Sequence, residues 1–129
     1  MSAISLILTA KIVVTVVLVS GPFLLLPLHR LETMTGVSAA SATFFRLYGM
    51  AATALLVGYG VGLWQSTDGV FPWAAVLMGI VSNVGAAGIL AFAPAASSRA
   101  SATIFGSIGL LLIWAALSPT AAIQQVLSG

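Results

Sequence analysis

Four stretches of this chain, residues 4–28, 44–64, 72–93 and 100–117, are apolar over almost their whole length, and only Lys11 and Arg46 put a charge inside any of them. A helix needs about 20 apolar residues to cross the roughly 30 Å hydrocarbon layer of a membrane. Each stretch meets that test. In lipid no water can satisfy open backbone N–H and C=O groups, so segments of this kind are helical. The pattern predicts an all-α integral membrane protein: four transmembrane helices in a compact bundle, with residues 1–129 forming a single domain.

Charge supports this from the other side. The chain has four Lys or Arg residues, two Asp or Glu residues and 60% hydrophobic residues. A soluble domain carries about 25% charged residues, so no water-facing surface can be assembled here. The isoelectric point near 9.7 would suggest nucleic acid in a soluble protein. Four scattered basic residues cannot track a phosphate backbone, and no nucleic-acid partner is expected. The absence of cysteine excludes disulfides, thiolate metal ligands and cysteine nucleophiles. The first stretch lacks a small-residue cleavage signal after a short apolar core and reads as a retained span.

The basic residues set an expected orientation. Arg30, Arg46 and Arg99, with His29, fall at the connections joining spans one to two and three to four. The positive-inside rule makes these a cytoplasmic basic rim and puts both termini on the non-cytoplasmic side. Trp64, Trp73 and Trp114 then form an outer aromatic belt, a second and independent signal. Lys11 is expected to snorkel to the outer headgroups. The rim can also hold anionic lipid headgroups, or pair with Glu32. These features suit a bacterial inner membrane.

Within the first span, "VSGPFLLLPLHRLE" carries Gly21, Pro22 and Pro27 before the chain's single histidine. Pro22 removes a backbone bond to Leu18, so a kink is expected there, with Pro27 repeating the effect near the exit. A groove beside that kink would be open to a partner helix, a lipid or an apolar ligand. Pro72 suits the first turn of span three, Pro94 and Pro119 stop spans three and four, and Ser97 or Ser98 can cap span four. The tail 119–128 can form one or two interfacial turns, or fray.

Lipid tails give helices no hydrophobic reason to associate, so small residues must let backbones approach. Candidate helix-packing residues are Ala54, Gly58 and Gly62 in span two, Ala75, Gly79, Asn83 and Ala87 in span three, and Gly106 and Gly109 in span four. Asn83, near the middle of span three, needs a hydrogen-bond partner in such surroundings; an interhelical bond is expected of it. "SAASATFF" (38–45) and "SRASATIF" (98–105) match at six of eight positions. Ala, Ser and Thr are so abundant here that chance explains this better than duplication.

The chemistry that is missing narrows function. Both acids lie in connections, so no carboxylate is expected in the hydrocarbon layer, whereas proton-coupled transporters commonly need one there. The chain is about the size of small four-helix multidrug exporters, but their signature first-span glutamate has no counterpart here. No catalytic residue, metal site or cofactor is expected; single axial ligation of a pigment or haem by His29 is the one such role left open. The expected function is a non-catalytic accessory, scaffolding or assembly subunit of a larger inner-membrane complex. Its partners would be membrane lipids and other transmembrane helices, in a heteromeric complex rather than a homo-oligomer. The alternative is a small homo-oligomeric transporter or channel for an apolar or weakly polar solute.

Overall fold

The computed structural model describes residues 1–93 and 96–126, and among them every long element is helical. The first apolar stretch forms α1 (Ala3–Thr15), a π-helical turn (Val16–Ser20) and α2 (Gly21–Leu25). After a break come α3 (Leu28–Thr35), α4 (Thr43–Thr67), α5 (Trp73–Ala91), α6 (Ala96–Leu117) and the short α7 (Pro119–Ile123). Four helical segments, Ala3–Leu25, Thr43–Thr67, Trp73–Ala91 and Ser98–Leu117, are long and apolar enough to cross a membrane. The protein is an all-helical, multi-pass membrane protein.

Each spanning helix meets the next in sequence, and α6 closes the ring against α1; α5 and α6 share the most extensive contact. Both termini lie at one end of the bundle, where Ser2 bridges to Gln125 and the Val126 N–H donates to the Met1 carbonyl. A directed chain of hydroxyls ties the start of α1 to the end of α4 there. Ser66 Oγ donates to the Leu63 carbonyl, so Ser5 Oγ donates to Ser66, and Ser2 Oγ to Ser5, at 2.7, 2.8 and 2.8 Å. Of the expected tail 119–128, Pro119–Ile123 forms one helical turn, α7, with Ala122 fully buried, while Leu127 and Ser128 lie outside the described residues.

The larger apolar cluster fills this terminal half with Ile4, Leu8, Tyr59, Val76, Leu112 and their neighbours. A smaller one, Val19, Ala52 and Phe105, occupies the other half. Exposed Leu25, Phe44, Val57, Val81, Ile89 and Leu117 face outward, as lipid-facing surfaces require.

Pro27 departs from the expectation, and the turn ahead of Pro22 is wider than an α-helix. Ahead of Pro22 the helix widens over Val16–Ser20, with the Gly21 N–H donating to the Val16 carbonyl five residues back. A Cβ on Gly21 would lie 2.8 Å from that carbonyl oxygen, so this turn needs glycine. Pro27 does not repeat a kink; it ends the span three residues before the expected boundary at 28. The helical region is disfavoured for the residue before a proline, and Leu26 is extended at φ −76°, ψ 148°, whereas Gly21 before Pro22 stays helical. Pro27, itself extended, then precedes α3. Gly36, in the left-handed region at φ 71°, closes α3 with its N–H on the Glu32 carbonyl.

A proline lacks the N–H that would bond the carbonyl four residues back, so Pro27 leaves Phe23 without its helical donor. Arg46 supplies it. Its two terminal nitrogens donate to the Phe23 and Leu26 carbonyls, each at 2.6 Å. Beneath this clamp a Cβ on Gly49 would sit 2.9 Å from the Phe23 Cβ, so α4 must be bare there for α2 to approach. The matching octapeptides diverge: residues 38–42 are irregular, whereas 98–105 are helical throughout. Pro94 lies outside the described residues, and α6 starts at Ala96, which puts Ser98 inside its first turn rather than at a cap.

Replacing Arg46 by Ala strands two carbonyls, and a loss of about 1–3 kcal/mol is expected, read as a lower thermal midpoint in detergent. Arg30→Ala, which removes an exposed side chain, leaves the midpoint unchanged. Equal losses in the two variants would contradict the clamp.

Candidate functional site

Lys11, Asn83, Tyr59 and Ser82 gather where the two apolar clusters meet, Tyr59 belonging to one cluster and Phe105 beside Lys11 to the other. Lys11 lies about 12 Å along α1 from Ala3 at the helical rise of ~1.5 Å per residue. It is only 4% exposed, and its Nζ donates to Asn83 Oδ1 at 2.9 Å. The expected snorkelling does not occur. Asn83 is fully buried and offers an acceptor across the bundle, which draws the lysine inward instead.

The orientation of the Asn83 amide follows from its neighbours. Lysine has only donors, so the oxygen must face Lys11, and the nitrogen then donates to the Gly79 carbonyl at 2.6 Å. Tyr59, fully buried on α4, contacts Ser82 Oγ at 2.8 Å, and Ser82 donates in turn to the Gly79 carbonyl at 3.2 Å. Lys11 Nζ stands 5.6 Å from the centroid of the Tyr59 ring and 5.0 Å from that of Phe105. Two ring faces at such distances attract a cation. One buried amine therefore joins α1 to α5 across the diagonal, and to α4 and α6 through their aromatic rings. Among the described residues it has no carboxylate partner, while the hydroxyls of Thr15 and Ser20 on the same span are buried without a hydrogen bond.

Small residues make this convergence geometrically feasible. Between α4 and α5, a Cβ on Gly62 would collide with the Cβ of Ala75, and one on Gly58 would lie 2.8 Å from Met78 Cε. Between α5 and α6, a Cβ on Gly79 would lie 2.6 Å from Leu112 Cδ1, one on Gly109 3.1 Å from Val84 Cγ2, and one on Gly106 3.7 Å from the Ala87 Cβ. Ala54 is exposed; its neighbour Ala52 is the buried residue on that part of α4.

At the end opposite the termini the four basic side chains separate by role. Arg46 is half-buried on the carbonyls of the first span, while His29, Arg30 and Arg99 are exposed. Glu32 does not pair with them; its Oε1 accepts the Ala39 N–H at 2.8 Å. Trp64, Trp73 and Trp114 all lie toward the terminal end and are 68%, 48% and 44% exposed. Among the described residues no three His, Cys, Asp or Glu side chains gather as metal ligands.

Beside the π-helical turn lies a cavity of about 470 Å³, lined by Leu18, Val19 and Phe23 of the first span, Ile89 and Leu90 of α5, and Phe105 of α6. Phe105 is shared: it lines this cavity and also stands over Lys11. A second hollow, about 420 Å³ and more open, is bounded by Leu26, His29, Arg30, Thr33 and Met34. The sequence pointed to Asn83 and to a groove beside Pro22. It missed Lys11, Tyr59 and Ser82 as partners; a charge well inside an apolar span was the available signal.

Asn83→Leu leaves the amine buried without its acceptor, and about 2–3 kcal/mol of destabilisation is expected. Lys11→Met combined with Asn83→Leu removes both polar groups and restores much of that loss, since an apolar pair of similar volume fits an apolar interior. A double-mutant cycle on unfolding in detergent measures it; strict additivity of the two changes would sink the pairing.

No known protein family, curated protein or solved structure matches this chain, so the functional reading rests on the residues themselves.

Proposed function

We propose that the protein is a non-catalytic accessory or scaffolding subunit of a larger membrane complex, acting by contact with partner helices and lipid. The observation that carries this reading is the closure of the interior. Lys11 is turned to Asn83, Tyr59 to Ser82, and Arg46 to the open carbonyls of the first span, so these three side chains hold the bundle together rather than face a solute. The outward faces offer apolar side chains with bare backbone between them. Gly60 on α4 and Gly85 and Gly88 on α5 are exposed, with no atom near the place a Cβ would take. Such positions let a neighbouring helix approach closely.

In this reading both termini lie on the non-cytoplasmic side of a bacterial inner membrane, and the first span bends at its π-helical turn. Support comes from Arg30, Arg46 and Arg99 at one end and three tryptophans toward the other. The second reading, a small homo-oligomeric transporter for an apolar or weakly polar solute, draws on the cavity of about 470 Å³ beside that turn.

Gentle detergent extraction followed by mass spectrometry separates the two. Stoichiometric foreign subunits are expected, and a clean homo-oligomer would favour the transporter instead. Orientation has its own test in this cysteine-free chain. Thr120→Cys is expected to react with an impermeant thiol reagent in intact cells and Ser38→Cys to resist it; the reverse pattern inverts the topology.

A further inference from the structure

The two hollows at the arginine end adjoin at one side chain. Met34 lines both the apolar cavity and the open hollow that holds His29 and Arg30. The first is walled by side chains of all four spans and α3, and among the described residues no charged one lines it. The second puts two basic side chains beside its mouth, and neither makes a side-chain hydrogen bond among the described residues. Arg99, also exposed, lies in the first turn of α6 next to Ser98, which lines the apolar cavity together with Ser101. Neither Glu32 nor Asp68 lines either space.

We infer that these adjoining hollows are a binding site for one anionic phospholipid of the surrounding bilayer, an acyl chain in the apolar cavity and its phosphate at Arg30 and His29. The inference deepens the proposed reading of a subunit that works through lipid and helix contacts. A phospholipid is apolar along its acyl chains and charged at its phosphate, and the two adjoining hollows place apolar and basic surroundings in the same order. About 470 Å³ lies within the range of sites that enclose small ligands. A guanidinium matches phosphate oxygens in two-point hydrogen bonds, and an unpaired arginine at the headgroup level is suited to them. The break at Leu26–Pro27 is what makes the site. It ends the first span early and turns α3, with His29, Arg30 and Met34, across the foot of the bundle toward α6. The Arg46 clamp keeps a third basic side chain on the carbonyls, so the headgroup site depends on His29 and Arg30.

Native mass spectrometry of the purified, delipidated chain tests this with phosphatidylglycerol and phosphatidylcholine of identical acyl chains. A single phosphatidylglycerol is expected, held with a roughly ten-fold preference, the size one or two basic residues supply at a membrane surface. His29→Gln with Arg30→Gln, both at exposed positions, is expected to abolish the preference without moving the thermal midpoint. Ser101→Phe, which fills the apolar cavity, is expected to weaken both lipids; Ala93→Leu on α5 serves where that variant fails to fold. Equal retention of the two lipids, a preference that survives the double substitution, tight binding in the filled variants, or a lipid-free dimer in place of the complex would each overturn the site. Because the chain is measured alone, failure here leaves the accessory-subunit reading standing, and failure to co-extract partners leaves the lipid site standing.

Discussion

One hydrogen bond, from Lys11 to Asn83, organises the interior of this protein. An amine in hydrocarbon is costly enough that it must find acceptors or ring faces. Asn83 supplies the acceptor from the opposite side of the bundle, and Tyr59 and Phe105 supply the faces from the two flanking helices. All four spans are therefore referred to one atom. That reference fixes helix rotation in a way apolar contact alone does not, because leucine and valine surfaces gain little by facing each other rather than lipid. The glycines at 62, 79 and 109 make the arrangement feasible by letting backbones close around it.

A second constraint comes from two prolines in one span. Pro22 sits after a widened π-helical turn, and Pro27 ends the helix outright. The groups these breaks expose within the membrane must be satisfied by neighbours, and Arg46 reaches back from α4 to do so. An arginine that topology alone would call a headgroup anchor thus becomes part of the fold. The same irregularity keeps the first span from lying flush against α5 and α6, and the apolar cavity lies there. Phe105 separates that cavity from Lys11, so the lock at the centre and the hollow at the end share a wall.

Much of this was legible in the residues. The four spans, the chain breaks within a few residues and the intramembrane hydrogen bond of Asn83 all follow from local rules about apolar length, proline and buried amides. The partner of Asn83 was not legible. Lys11 sits close enough to the amino terminus that snorkelling to the headgroups was the economical expectation; only the placement of α5 across the bundle offered a nearer acceptor. Pro27 was misread for a related reason, since a kink and a break obey the same backbone rule and differ in whether a neighbour can hold the severed ends. Ala54 was assigned to the interior by its spacing, yet the rotation of α4 buries Ala52 instead.

What the sequence by itself determined is the class of structure: helices, four of them, in a membrane, with basic residues gathered at two connections. Those are properties of the chain against its solvent, in which apolar length, backbone satisfaction and charge act residue by residue. What only the tertiary structure decided is which polar groups meet. Lys11 and Asn83 are 72 residues apart, as are no local signals, and Arg46 finds carbonyls released by a proline on another helix. A membrane rewards each helix for being apolar but does not say how helices turn toward one another. That choice falls to the few polar groups that cannot be left unpaired, and their partners exist only once the bundle has formed.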